Sequence, residues 1–216
     1  MYARMKIESE RDAHIVCADR AVSAHGAYIS HIRIKKKEAR MEREGLVTFQ
    51  GNALTLTGNP VKAGDKAPPF TALGKDLAPV GLSDFAGKIK IISVTPSLDT
   101  PVCNLQAITF NEKARSLSDD IVLINVSMDL PFAIARFCSA QGIDKLRTLS
   151  DHREASFGLA YGVLVRELRL LARSIFVIDR DDTVRYVEIV PEKGSSNARM
   201  TSGSVSGTSE AFMMYS

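Results

Sequence analysis

Two near-continuous apolar runs constrain this chain more than any other feature: Ile89 to Val94, extending to Thr95, and Ile121 to Met128. A strand that is apolar at consecutive positions is covered on both faces, which places it in the middle of a sheet. Between the runs, Pro101 to Leu117 reads as a helix with Leu105, Ile108 and Leu117 among its apolar positions, and Asp119-Asp120 punctuates its end. Strand, helix and strand at this spacing make a βαβ unit, parallel and right-handed.

The neighbouring segments extend this plan. Val47-Thr48-Phe49-Gln50 and Ala53-Leu54-Thr55-Leu56-Thr57 flank Gly51-Asn52, the signature of a hairpin with a primed turn. Phe70 to Leu73 reads as a short strand, and Val80 to Lys88 as a turn or short helix. After the second apolar run, a helix is expected over Pro131 to Gln141, stopped by Gly142. A strand at Arg147 to Ser150 and a helix at Glu154 to Leu159 follow. Arg173 to Asp179 and Val184 to Val190, joined at Asp181-Asp182, pair antiparallel. A βαβ half followed by a helix and a hairpin is similar to the thioredoxin-like plan. The fold class is therefore α/β, thioredoxin-like, with an N-terminal β-hairpin.

Composition narrows the chemistry. Residues 1–44 hold ten Lys/Arg and seven Asp/Glu, while the rest of the chain holds eighteen of each. The central domain therefore offers no electrostatic reason to bind nucleic acid or a membrane. No apolar run reaches membrane-spanning length and the N-terminus has no signal-peptide core, so a cytoplasmic location is expected. The three cysteines, Cys17, Cys103 and Cys138, fit neither a disulfide framework nor zinc-ligand spacing. In a reducing compartment, isolated cysteines point to catalysis or redox sensing.

Cys103 sits where such chemistry is built. The strand ends into Pro96-Ser97-Leu98-Asp99, and Thr100-Pro101 then supplies an N-cap and a first helical proline. Cys103 falls in the first turn, near unpaired N–H groups and the positive end of the helix dipole, which favour the nucleophilic thiolate. From the residues alone, other readings stay open. Cys103 and Cys138 also read as small buried residues, Arg173 as a strand-end charge, and Thr100 as a cap only. His14, His25, His31 and His152 read as surface residues, and Asp99 as a loop-shaping one.

The stretch Pro96-Ser97-Leu98-Asp99-Thr100-Pro101-Val102-Cys103 resembles the P-x-x-x-T-x-x-C signature of peroxiredoxins. Val47 to Asn52, Asp129 to Ala133, Arg136-Phe137-Cys138 and Ala172-Arg173 are similar to the bacterial thiol peroxidases, the atypical two-cysteine subgroup. The resemblance spans about Leu46 to Pro191. It implies a peroxidase for hydrogen peroxide and alkyl hydroperoxides, working without metal, haem or flavin. Cys103 would be the peroxidatic cysteine. Thr100 would hydrogen-bond the thiolate and the peroxide, Arg173 would stabilise the thiolate and the developing charge, and Pro96 would shield the thiolate. Cys138 would resolve the Cys103 sulfenic acid into an intramolecular disulfide, which thioredoxin would reduce. The resemblance also implies a homodimer through the region around the active site. Apolar residues near the loop, such as Phe70, Val94 and Leu98, would suit alkyl peroxides, and the choice between peroxides stays open. The alternative function is a non-enzymatic thiol redox sensor.

Three segments are expected: an N-terminal extension, 1–45, a peroxiredoxin domain, 46–192, and a low-complexity tail, 193–216. Lys37-Glu38 is encodable as a ribosome-binding sequence ahead of Met41, so the native start is expected at Met41. The tail supplies no evident helix to cover the last strand, which opens a third reading, a poorly folding product.

Overall fold

A computed structural model describes residues 41–191. The expectations on residues 1–40, Cys17, His14, His25, His31 and the tail from residue 192 lie outside the described residues.

The described residues open with a hairpin of β1 (Glu42–Phe49) and β2 (Asn52–Thr57). Phe49 pairs with Asn52, so the two-residue loop is Gln50-Gly51, one position earlier than Gly51-Asn52. Both loop residues have positive φ, 50° and 82°, as a type I′ turn demands. A bulge between Glu44 and Val47 bends β1, with Gly45 at φ 74°.

Next come β3 (Thr71–Leu73), β4 (Pro79–Gly81), a single 3-10 turn (Leu82–Phe85) and β5 (Ile89–Val94). Helix α1 (Pro101–Ala114) leads to β6 (Ile121–Ser127), and α2 (Pro131–Gln141) to β7 (Arg147–Ser150). Gly142 ends α2 in the left-handed conformation, φ 64°, as its place after the apolar stretch predicts. The described residues finish with α3 (Ser156–Ala160), β8 (Leu164–Val165), β9 (Leu170–Leu171), β10 (Ser174–Ile178) and β11 (Val184–Ile189).

Among the described residues, seven strands form the main sheet in the order β11-β10-β5-β6-β7-β3-β4. The pairs β5–β6 and β6–β7 are parallel, as the βαβ pattern predicts. On one face, Ile91, Leu123, Ile175 and Val177 form a cluster with Ala107 and Phe110 of α1 and Ile134, Phe137 and Cys138 of α2. On the other face, Ile92, Val94, Ile124, Val126 and Phe176 join a cluster with Leu56, Phe157, Tyr161 and Leu171. Ile91 and Ile92 point to opposite faces and both are buried, which is why the run is apolar without alternation. The exception, Lys90, is fully buried, and its ammonium donates to the Asp179 carbonyl and the Asp182 carboxylate.

The second sheet, β1-β2-β8-β9, is where the sequence reading fell short. The hairpin of β8 and β9 has two residues per strand, too few to show a period. Tertiary bonds hold it instead: Arg166 N donates to Thr55 O, and Thr55 N donates to the Glu167 carboxylate. Helix α1 also differs from expectation, ending three residues before Leu117 and leaving Leu105 66% exposed.

Asp151 links β7 to α3. Its carboxylate accepts from Phe157 N at 3.0 Å and Gly158 N at 2.8 Å, yet it is buried. Burial raises its pKa to about 6, against the opposing pull of the Gly158, Phe157 and Ser156 amides. Between about pH 4 and pH 6 the native state therefore keeps a proton that the unfolded chain has lost. This contribution is fully present below about pH 4, falls as pH rises to about 6, and is then lost. A shift of this size is worth roughly 3 kcal/mol. Denaturant unfolding from pH 4 to pH 7 is expected to show this decline in the wild type and a flatter profile in Asp151→Asn. Parallel profiles would refute the assignment.

Candidate active site

The site is assembled at the carboxyl end of β5. Thr95 N donates to Val126 O, and the chain then leaves the sheet through Pro96. Thr100 is the N-cap of α1, with extended φ and ψ of −90° and 142°, and Pro101 is the first helical residue. Its hydroxyl makes no capping bond. It donates instead to Ser97 O at 3.0 Å, which tightens the loop on itself. The first intrahelical bond runs from Asn104 N to Thr100 O at 2.9 Å, so the Val102 and Cys103 amides precede it at the helix end. Cys103 is 0% exposed.

Arg173 reaches Cys103 because of strand pairing rather than sequence proximity. β10 runs antiparallel to β5 with Ser174 opposite Val94, so Arg173 lies beside the loop that leaves β5. Its Nη2 donates to Cys103 Sγ at 3.2 Å, and its Nη1 donates to Gln106 Oε1 at 2.8 Å. Gln106 Nε2 in turn donates to Ser93 Oγ at 2.9 Å. Cys103 and Gln106 share a face of α1 at i and i+3, so the helix spacing aims both at one guanidinium. A planar, permanently charged fork is thus held at two points, with one of its N–H groups directed at the sulfur.

Gln106 and Ser93 were not singled out from the sequence. The i+3 spacing from Cys103 was the available signal for Gln106. Another such residue is Asp129, whose carboxylate accepts from Ser97 Oγ at 2.6 Å, Leu98 N at 2.8 Å and Ser127 Oγ at 2.8 Å. Asp99 contributes only its amide, donated to Ser97 Oγ at 3.2 Å.

Pro96, Thr100 and Arg173 open onto an apolar groove of about 260 Å³. Its other walls include Val47, Phe49 and Leu54 of the first hairpin and Val165, Leu168 and Leu170 around the second. Phe70, Val94 and Leu98, the apolar residues near the loop, are core residues at most 4% exposed, and the groove is lined by others. Phe70 instead meets Phe157 edge-on, with ring centroids 5.2 Å apart.

Cys138 lies on α2 within the cluster of Ile134 and Phe137. Its Sγ is 3.4 Å from Thr148 Oγ1, and both Cys103 and Cys138 are buried free thiols. His152 is half-buried rather than fully exposed, with Nδ1 2.8 Å from Ser150 Oγ. Among the described residues no cluster of three or more His, Cys, Asp or Glu is placed to hold a metal ion. Nor is any described helix long and apolar enough to cross a membrane.

A buried thiol at a helix N-terminus, bonded to a fixed guanidinium on a thioredoxin-like sheet, defines a thiol-redox protein. The redoxin family model matches residues 62–201. The thiol peroxidase of Halalkalibacterium halodurans is 56% identical over 146 residues, covering 68% of this chain and 87% of that protein. That of Bacillus subtilis is 54% identical over 146 residues, covering 68% and 87%. Among solved structures, a peroxiredoxin-like protein from Aquifex aeolicus aligns at a TM-score of 0.63 and 38% identity, covering 67% of this chain and 85% of that one. The chain belongs to the redoxin family, in its thiol peroxidase branch. It is a thiol-dependent peroxidase that takes a hydroperoxide as substrate and a thiol as reductant, so the enzyme reading prevails over the sensor one.

Proposed function

We propose that Cys103 is the peroxidatic cysteine and Cys138 its resolving partner, acting on hydrogen peroxide and alkyl hydroperoxides with thioredoxin as reductant. The 3.2 Å bond from Arg173 to Cys103 Sγ carries this reading. The Cys103 thiolate attacks the terminal peroxide oxygen, the O–O bond breaks, and water or an alcohol leaves after taking a proton. Arg173 donates to the sulfur and to the oxygens as charge moves onto the leaving group. Thr100 already donates its proton to Ser97 O, so its oxygen is oriented to accept the peroxide O–H. Pro96 walls the thiolate off from bulk water. The apolar groove supports alkyl hydroperoxides, whose chains would lie along it.

Cys138 then attacks Cys103 Sγ, the S–O bond breaks, water leaves and a disulfide forms. A disulfide needs Cα atoms within about 7 Å. The cysteines are buried on separate helices, so the first turn of α1 and the helix around Cys138 unwind locally during turnover. Exchange with thioredoxin restores both thiols. Free thiols at rest suit the reducing cytoplasm. Exposed Val102 and Leu105 on α1, with Phe49 and Leu168 at the groove, support a homodimer across this face.

The test is peroxide consumption by Cys138→Ser. It is expected to keep a single stoichiometric reaction at Cys103 and to lose recycling by thioredoxin and its reductase. Full thioredoxin-dependent turnover in that variant would remove the resolving role.

A further inference from the structure

We propose that the Asp129 carboxylate is a latch that holds the Cys103 loop in its peroxide-reactive form, and that its release governs transfer of the oxidised sulfur to Cys138. The inference rests on the roles of Cys103 and Cys138 proposed above.

Asp129 stands at the junction between the two cysteine-bearing helices. It follows β6 and immediately precedes Leu130, the N-cap of α2. Its side chain reaches back to the other helix: Oδ1 accepts from Ser97 Oγ at 2.6 Å, and Oδ2 accepts from Leu98 N at 2.8 Å. Ser97 passes this hold onward. Its carbonyl accepts from Thr100 N at 3.3 Å and from Thr100 Oγ1 at 3.0 Å, and Thr100 caps the helix on which Cys103 sits. Ser150 Oγ and Ser127 Oγ, from the sheet, brace Asp129 through its carbonyl and its Oδ2. One carboxylate thus ties the start of α1 to the start of α2 through charge-assisted bonds.

The packing couples the same two places. Leu98, whose amide Asp129 holds, is 2% exposed and belongs to the cluster that contains Ile134, Phe137 and Cys138. Unwinding that carries the loop with it withdraws Leu98 from the cluster that also holds Cys138. Breaking the Leu98 and Ser97 bonds therefore frees the Cys103 turn and loosens the packing around the resolving thiol in one event. Neither the Arg173 bond nor the Thr100 cap spans both helices in this way. Asp129 touches neither thiol nor the groove wall, so it acts as a positioning residue.

The latch sets a competition at the oxidised sulfur. While it is closed, the Cys103 sulfenate stays in the pocket, where a second hydroperoxide can oxidise it: sulfur gains an oxygen, the O–O bond breaks, and alcohol or water leaves. Once it opens, the sulfur, protonated to the sulfenic acid, is attacked by Cys138, the S–O bond breaks, and the hydroxyl leaves as water with the Cys138 proton. A weaker latch favours the disulfide over the sulfinic acid and slows the first attack, because the reactive pocket is formed less of the time.

The experiment titrates the full chain with hydrogen peroxide and measures Cys103–Cys138 disulfide against Cys103 sulfinic acid by mass spectrometry. Asp129→Asn is expected to need about tenfold more peroxide for the same sulfinic fraction, the scale of one lost charge-assisted bond. Ser97→Ala removes one arm, keeps the carboxylate, and is expected to shift the partition in the same direction by less. It also serves if Asp129→Asn does not fold. Val184→Ala, in the opposite core cluster, controls for general destabilisation and is expected to leave the partition unchanged. An unchanged partition in both loop variants, a shift toward sulfinic acid, or an equal shift in Val184→Ala overturns the latch alone. A wild type that forms no Cys103–Cys138 disulfide overturns the underlying reading and the latch with it.

Discussion

Cys103→Ser is expected to abolish hydroperoxide turnover, with a loss on the order of 10^4-fold or more in the peroxide-consuming step. The argument is one of chemistry rather than stability. Cys103 is fully buried and Ser is slightly smaller, so the loop and helix should persist. Arg173 Nη2 keeps an acceptor, since a hydroxyl oxygen replaces the sulfur now 3.2 Å away. What disappears is the soft, readily ionised nucleophile. A hydroxyl remains protonated near neutral pH and attacks a peroxide oxygen poorly, and no described base stands ready to activate it. Stopped-flow peroxide consumption, with the thermal unfolding midpoint as a folding check, decides the matter. Retained turnover in a folded Cys103→Ser protein would move the chemistry to another residue.

Arg173→Met is expected to slow peroxide attack by about 10^2- to 10^3-fold, the cost of removing one preorganised donor from a buried reaction centre. Methionine keeps much of the stem and removes the fork. Two bonds vanish together, Nη2 to Cys103 Sγ and Nη1 to Gln106 Oε1. Arg173→Lys separates charge from geometry. A single ammonium cannot span both partners, so Lys is expected to recover only part of the rate. Arg173 bonds Cys103 and Gln106 while Cys138 bonds Thr148, so later exchange with the thiol reductant is expected to change little. Second-order rate constants for peroxide and for reductant, measured separately, test this. Equal losses on both sides would mark a general folding defect.

Much of the domain was legible in the sequence because its strongest elements carry their own signals. The runs at Ile89 and Ile121 are buried on both faces, so they needed no partner to be recognised as central strands. Pro131 and Gly142 fixed α2 at both ends, through a proline that suits a first turn and a glycine that takes positive φ. Signals weakened where tertiary contacts set the structure. The hairpin of β8 and β9 is held by Thr55 of β2, more than a hundred residues earlier in the chain. Leu105 fits an apolar helical period yet points outward, because the face of α1 that packs is set by Cys103, Ala107 and Phe110.

The candidate site divides along the same line. Local order carries the Pro-turn-Thr-Pro-Val-Cys segment, because a strand end, a cap and a helical first turn are contiguous in the chain. Sequence alone therefore determined the α/β class, the βαβ core and the placing of a thiol at the start of a helix. Only the tertiary structure decided what surrounds that thiol. The register of β10 on β5 delivers Arg173, the pitch of α1 adds Gln106, and the return of β6 beside the loop brings Asp129 beneath Ser97. The physical reason is that helices and turns are stabilised by near neighbours, which a sequence displays. A buried charged network is instead made by strand pairing between distant segments, and that pairing appears only once the sheet has formed.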